Sequence, residues 1–378
     1  MKLSLHMMVL NAAATIDRAL RPLAGIVDEV VFTDTGSADG TPDKIISLAK
    51  ELGMKCSFFL LSSNECSKLY FTDEPGAFKF KFPSHVAFTG LPQIRDWAWA
   101  RNLSLDFAQG EYVLRIDADD EVMRPENILP ALAMLDCRPK VDFLMCPYEV
   151  MDGNEVDYMT SHHFFWRNKL EHRFKYVLHE HVPGRKVDGS NWLVVQRGLV
   201  FRDWRDNAGS GVRVPHRNFK VLLLEYERCL AAGEPVDPHV RLTLADEGIE
   251  VDPEFSLSLL PEEREVDYPQ ALGWFYYIKG ECCRRLGRLE DALNYFELSG
   301  SHDDLRGLLK FGFALDEMGF SHTLFDPSLY RAVLREVLER RQVAASCLIR
   351  RADVLKAQQM LGELASHRRE NDEKRHRF

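Results

Sequence analysis

Gly110-Glu111-Tyr112-Val113-Leu114-Arg115-Ile116-Asp117-Ala118-Asp119-Asp120-Glu121 is the stretch on which the reading of this chain turns. A turn glycine leads into residues of mostly strand-forming character, and the run ends in a cluster of four acids. On an extended backbone Asp117 and Asp119 point to the same side. Two carboxylates held that close repel unless a cation lies between them. Hard divalent ions such as Mg²⁺ and Mn²⁺ take such oxygens and then bridge to substrate phosphates. An isolated Asp-x-Asp is more often a solvated acidic turn, so the flanking chain has to decide.

The chain has 378 residues, enough for two domains, and its 46% hydrophobic and 28% charged content suits a globular protein with a sizeable core. A formal charge of −10 argues against a surface built for wholesale phosphate-backbone binding. The eight cysteines include no C-x-x-C, which disfavours structural zinc and suits reduced thiols. The apolar run Leu3 to Leu10 is too short for a membrane span. A cytoplasmic location is expected.

Leu3 to Leu10 reads as a buried strand, Thr15 to Leu23 as a short helix, and Glu29 to Thr33 as a second strand. A helix capped by Thr41, with Pro42 at its first position, runs to Leu52, and Lys55 to Leu61 forms a third strand. This alternation predicts a mostly parallel α/β sheet whose ligands sit outside the carboxyl ends of its strands. The turn Asp34-Thr35-Gly36-Ser37-Ala38-Asp39-Gly40-Thr41 lies at such an end and is no dinucleotide fingerprint, since G-x-G-x-x-G is absent. Residues 62–93 form a long irregular insert threaded with aromatics, either packed onto the sheet or acting as a lid or acceptor clamp. Arg95 to Phe107 follows as a helix. It carries Arg101 near the acidic strand end, a costly place for an unpaired cation and a reasonable one beside a pyrophosphate.

Three stretches agree in order and spacing: Met7-Met8-Val9-Leu10-Asn11, the turn from Thr33 to Thr41, and Ala100-Arg101-Asn102 followed by Asp117-Ala118-Asp119. Together they resemble the family 2 glycosyltransferases of the GT-A fold, in particular members with a C-terminal tetratricopeptide segment. The resemblance covers residues 1 to about 125 strongly and 160–185 more loosely. It implies that Asn11, Asp34 and Asp39 bind the nucleotide of a nucleotide sugar, with UDP the commonest carrier. It also implies that Arg101 approaches the pyrophosphate, that Asp117 faces ribose and metal, and that Asp119 directly ligates Mn²⁺ or Mg²⁺. One departure stands out: where the family usually carries acids after the first-strand asparagine, this chain reads Ala12-Ala13-Ala14.

Further along, Ser161 to Asn168 and Tyr176-Val177-Leu178-His179-Glu180-His181-Val182 look like the family's arginine-asparagine strand and the His-Glu pair near the end of its catalytic domain. Glu180 is the candidate general base, with Glu149, Asp152 and Asp157 as rivals. His179 is a candidate metal or pyrophosphate contact. No zinc protease motif is present, because position 183 is Pro183. Trp192 to Trp204 supplies one more strand, and Arg205 to Gly211 reads as a linker. The catalytic domain is therefore expected over residues 1–211.

Beyond Val212 the period is helical. Gly280, Gly287, Ala292 and Phe296 fall at positions resembling the small and aromatic sites of a tetratricopeptide repeat, and Gly312 and Gly319 each follow a counterpart by 32 residues. A helical domain over 212–365 is expected, either a partner-binding or self-association surface or a cap on the catalytic domain. A final helix from Leu329 toward Leu364 and a charged tail over 366–378 complete it. The expected function is metal-dependent, inverting transfer of a sugar from a UDP-sugar to a peptide, glycan, lipid-linked sugar or modified DNA base. The rival reading is a degenerate transferase serving as a helical-repeat scaffold.

Overall fold

A computed structural model of the chain describes residues 2–182, 192–194, 198–204, 216–266, 269–302, 304–317, 332–339 and 349–361. The linker expected at 205–211, Gly319 and the charged tail lie outside these residues. Strand β1 (Leu3–Val9) is buried along its whole length, and its side chains divide by the two-residue period of a strand. Leu3, Leu5, Met7 and Val9 enter the main apolar core, while Ser4, His6 and Met8 turn to the other face. On the core side pack helices α1 (Ile16–Leu20), α2 (Thr41–Glu51) and, later in the chain, α5 (Ile128–Asp136). The cap of α2 is Gly40, in a left-handed conformation, rather than the expected Thr41, which starts the helix proper.

Strands β2 (Glu29–Asp34) and β3 (Lys55–Leu60) extend the sheet in parallel on one side of β1. The insert follows, with helix α3 (Ser63–Leu69) and a small hairpin of β4 (Tyr70–Thr72) and β5 (Pro92–Ile94). Helix α4 (Trp97–Leu105) then leads to β6 (Tyr112–Arg115), which lies parallel to β1 on its free side. The winding direction therefore reverses between β1 and β6, the position at which open α/β sheets bind ligands. The sheet continues through β7 (Asp120–Met123), β8 (Phe143–Asp152), β9 (Glu155–Arg167), β10 (Trp192–Val194) and β11 (Val200–Asp203). Its order is β3-β2-β1-β6-β9-β8-β11-β7, with β10 pairing β8; β6/β9 and β11/β7 are antiparallel. It is a mixed, mostly parallel sheet between helices, as expected, and two short strands replace the single one expected over 192–204.

Gly110 can be nothing but glycine because of close approach. Its N–H reaches Ser4 Oγ at 2.8 Å and Glu29 Oε1 at 3.0 Å, and a Cβ there would stand 2.7 Å from the Ser4 backbone nitrogen. The buried Glu29 carboxylate also takes the N–H of Gln109 and the Ser4 hydroxyl, which ties the entry of β6 to β1 and β2.

Tyr70 of the insert packs beside Met8 of β1, while most of the insert's phenylalanines cluster elsewhere. Phe78, Phe80, Phe82 and Phe88 make edge and tilted ring contacts with one another, and Phe80 and Phe82 close on Phe219 of helix α6 (Arg217–Ala232). Lys220, also on α6, is fully buried against the equally buried Asp73 at 2.7 Å, and its ammonium lies 4.2 Å from the Phe88 ring centre. Glu227 accepts the N–H groups of Lys79 and Phe80. The insert thus forms a small core of its own with α6, which is followed by α7 (Pro238–Gly248).

The chain divides into two compact units, one of residues 1–154 and 161–252, the other of 155–160 and 253–378. Helices α6 and α7, read from sequence with the C-terminal helices, group with the sheet. In the second unit α8 (Pro253–Leu259), α9 (Pro269–Arg285), α10 (Leu289–Ser301) and α11 (Leu305–Glu317) form an all-helical array. A Cβ on Gly280 would lie 2.5 Å from the Phe296 ring, so these two positions are where α9 and α10 meet. Gly312 faces Leu334 in the same close manner at 3.0 Å. Residues 349–350 are not helical, so the helix expected from Leu329 to Leu364 is interrupted there.

Breaking a buried ion pair by removing one partner typically costs about 3–5 kcal/mol. Lys220→Met should therefore lower the unfolding free energy of the first unit by about that amount in urea titration. The double change Lys220→Met with Asp73→Leu should recover most of it, since no buried charge is then left alone.

Candidate functional site

The site grows from helix α4. Asp96 caps it by accepting the Trp99 N–H at 2.8 Å, which fixes the helix start and turns Ala98, Ala100, Arg101, Ser104 and Leu105 inward. Asn102 clamps the next layer: its amide donates to the Phe174 carbonyl and its oxygen accepts the Phe174 N–H, both at 2.9 Å. The Trp97 N–H reaches the Val177 carbonyl at 2.9 Å. The segment 174–182 is held on α4 by these bonds, and that is how Glu180 arrives beside Arg101.

Arg101 is only 2% exposed and packs over the Phe174 ring. Its Nε donates to Glu180 Oε1 at 2.6 Å and its Nη2 to Asp117 Oδ1 at 2.8 Å. Arg115, at the end of β6, donates through Nη2 to Asp117 Oδ2 at 3.2 Å and lies 3.6 Å from Glu180 Oε1. Burial alone would raise the Asp117 and Glu180 carboxyls, but the two guanidinium groups outweigh it and hold both below the usual range. His6 closes the back of the site, its Nε2 against the Arg101 carbonyl at 2.8 Å. Burial and then the charge of Arg101 push its pKa down to about 3, so the ring is neutral.

The Asp-Ala-Asp run is not extended strand. β6 ends at Arg115, and residues 117–120 make a turn in which the Asp120 N–H reaches the Asp117 carbonyl at 3.1 Å. The Asp120 carboxylate accepts the Asp117 N–H and the Tyr148 hydroxyl, each at 2.8 Å. The turn separates the roles of the two acids. Asp117 faces the arginines, whereas burial and the charges of Asp117 and Asp203 push the Asp119 carboxyl up to about 6. Asp203 stands opposite Asp120 in the β11/β7 register. A divalent cation beside Asp119 would relieve this repulsion, whereas the two oxygens of Asp117 are already held by Arg101 and Arg115. Among the described residues, no group of three or more His, Cys, Asp or Glu side chains is arranged around one point as a metal site.

The other expected site residues lie in two places. Asn11, Asp34 and Asp39 come together at the carboxyl ends of β1 and β2. Asn11, with φ of 48°, accepts the Ala38 N–H at 2.8 Å, and its own N–H donates to Ser37 Oγ at 2.8 Å. Asp34 takes the N–H groups of Gly36 and Ser37, and Asp39 those of Ala13 and Thr41. From the insert, Tyr70 donates to the Thr35 carbonyl at 2.7 Å, which joins the insert to this turn. His179 goes elsewhere: its Nε2 pairs with Glu247 of α7 at 3.1 Å, and its backbone takes a positive φ of 54°. Burial would lower the His179 pKa, but the Glu247 hydrogen bond and charge raise it.

The sequence assigns roles to Arg101, Asp117, Asp119 and Glu180, includes Asn102 only as part of Ala100-Arg101-Asn102, and assigns none to Arg115, Asp120, Asp203 or Glu247. Arg115 had a signal: it stands two residues after the fully buried Val113, on the same face of a buried strand, where a cation needs partners. The contact of Asn102 with Phe174 is not legible, because the two residues are 72 positions apart.

The Glycosyl transferase family 2 model matches residues 77–188, which hold α4, the Asp-Ala-Asp turn and Glu180. A TPR repeat-containing protein of Synechococcus elongatus is 28% identical over 181 residues, 48% of this chain; the chain spans only 35% of that relative's length. Among solved structures, S. aureus TarS residues 1–349 in complex with UDP-GlcNAc is similar at 18% identity, covering 80% of this chain and 92% of that one, with a TM-score of 0.40. Glucosyl-3-phosphoglycerate synthase from Mycobacterium tuberculosis, with Mn²⁺ and UDP-glucose, is similar at 21% identity over 39% of this chain and 43% of its own, with a TM-score of 0.25. The segment that matches the Glycosyl transferase family 2 model contains the buried arginine, both acids of the turn and the paired glutamate.

Proposed function

We propose that the protein transfers a sugar from a nucleotide-diphospho-sugar, with UDP as the favoured carrier, to a nucleophilic acceptor. The observation that carries this reading is the meeting of Arg101, Asp117 and Glu180 at the carboxyl end of β6, with Asp119 in the same turn. Asn11, Asp34 and Asp39 build the turn against which the nucleoside lies. Arg101 binds the diphosphate, matching the planar fork of guanidinium to phosphate oxygens. Asp119, with Asp117 beside it, would hold Mn²⁺ or Mg²⁺, which would supply neutralising charge for the leaving group. Glu180 takes the proton from the acceptor hydroxyl or thiol as the acceptor atom forms its bond to the anomeric carbon. The bond from that carbon to the diphosphate oxygen breaks with its electron pair on the nucleoside diphosphate, inverting the configuration. His179, held by Glu247, serves this step only if it leaves that partner. The acceptor class stays open among peptide, glycan, lipid-linked sugar and modified DNA base.

One observation favours a scaffold that has lost activity. Ala12 and Ala13 stand where the family has acids, and their N–H groups are taken by Thr41 and Asp39. Titrating UDP into the protein with and without Mn²⁺ separates the two readings: the transferase binds UDP more tightly with the ion, and the scaffold binds it in neither case.

Asp119→Asn gives an unusual pair of outcomes. A carboxyl whose folded pKa is raised to about 6 favours folding below its unfolded value, and that advantage is lost as pH rises through 6. The neutral amide removes the penalty, so in chelator the variant should melt higher than the parent at pH 7.5 and alike at pH 4. Mn²⁺-dependent donor turnover should be lost. Retained turnover with an unchanged metal requirement would remove Asp119 from the metal site.

Glu180→Gln keeps the size of the side chain and one acceptor for Arg101 but cannot take a proton. Turnover should fall about 10²–10⁴-fold. A fall of less than about threefold would move the base to Glu149, Asp152 or Asp157.

A further inference from the structure

Arg115 is unexplained by the role given to Arg101. Its neighbour on the same strand face, Val113, belongs to a fully apolar cluster with Trp166, Phe174 and Val182, so an aliphatic side chain would continue the pattern. The strand instead ends on a guanidinium whose Nε is buried without an acceptor among the described residues. Arg101, 2% exposed, likewise has Nη1 buried without an acceptor among them. The two cations and the two acids Asp117 and Glu180 balance in charge but not in hydrogen bonds. Glu180 Oε1 is shared, at 2.6 Å from Arg101 and 3.6 Å from Arg115, and one donor nitrogen on each arginine is left over. A buried donor without a partner costs about 1–3 kcal/mol, so two in adjacent arginines are a poor end state for a purely structural cluster. They suit an anion with more acceptor oxygens than a carboxylate, placed where both forks can reach it.

We propose that Arg115 and Arg101 form one diphosphate-binding pair, and that Glu180 is the acid they hold until a diphosphate displaces it. Resting on the transferase reading for the ligand's identity, this makes donor binding the event that frees Glu180 to act on the acceptor. Arg115 exchanges Glu180 for a phosphate oxygen, no covalent bond changes, and the carboxylate is left without one of its two cations. In a closed structural quartet, by contrast, Arg115 would affect folding stability and nothing else.

The test is calorimetric titration of the full chain in EDTA with inorganic pyrophosphate, UDP and uridine. Arg115→Met should weaken pyrophosphate and UDP by about tenfold to a hundredfold, the loss of one charge-assisted hydrogen bond, and leave uridine unchanged. Arg115→Lys should recover part of the loss. Glu180→Gln should tighten pyrophosphate, because a competing acid is gone. That result is opposite to what a structural acid gives, and it keeps the test decisive if Arg115→Met does not fold. Unchanged pyrophosphate affinity in folded Arg115→Met, or weaker binding in Glu180→Gln, overturns the proposal. If UDP binding survives Arg115→Met, the transferase reading stands and this inference falls. If pyrophosphate binds through Arg115 but UDP binds no better, the anion pair stands and the nucleotide reading falls.

Discussion

A guanidinium that is almost wholly buried must be paired, and the site exists because Arg101 draws its partners from two remote segments. Asp117 is 16 residues away and Glu180 is 79. An uncompensated buried charge of this kind costs several kcal/mol, so the strand end, helix α4 and the segment 174–182 are bound to one arrangement. The backbone of the same residue reaches β1 through His6, which burial and the arginine's charge keep neutral. A neutral ring donates from one nitrogen only, and Nε2 is the one facing the carbonyl, so its protonation is fixed by that contact. The central strand and the charged cluster are therefore parts of one construction.

The same division between local and remote partners explains what the sequence discloses. Strands β1, β2, β3 and β6 announce themselves by burial pattern and by the turns between them, because a period of two or of 3.6 is a local property. The Asp-Ala-Asp run is equally visible as a motif. Its geometry is not, since the turn depends on Asp120 bonding back to the Asp117 N–H and on Tyr148 from another strand. The insert illustrates the limit. Its phenylalanines read as a packing set from composition, yet nothing local points to Phe219 and Lys220, which lie far along the chain and complete their core. Helix α6 reads as the start of a helical domain by period, while its partners assign it to the unit of the sheet.

In the helical unit the small residues are legible for a physical reason. Gly280 and Phe296 are 16 positions apart, and the absence of a Cβ at one is what lets the ring of the other lie against the α9 backbone. Gly287, at φ of 75°, makes the turn between the two helices. Such a pair leaves a joint signature in sequence because size at one position and aromatic shape at the other answer to a single distance. The polar cluster around Arg101 leaves a weaker one, since an acid can come from any segment that reaches it.

The turn at the carboxyl ends of β1 and β2 depends on main-chain bonds. Where the family usually has acids, the chain closes the turn of β2 with main-chain groups: the N–H of Ala12 on Thr41 Oγ1 at 2.7 Å, that of Ala13 on Asp39 at 2.9 Å, and Lys44 on the Ala13 carbonyl at 2.6 Å. None of these bonds uses a side chain from positions 12 or 13, so alanine there leaves the turn intact. An acid at either position would add a carboxylate close to Asp39 and compete for Lys44, which already pairs with Asp17. The geometry of the turn thus accommodates alanine at positions 12 and 13, with less negative charge there than acids would bring. In the proposed complex the arginine pair is left to set the field that the diphosphate meets.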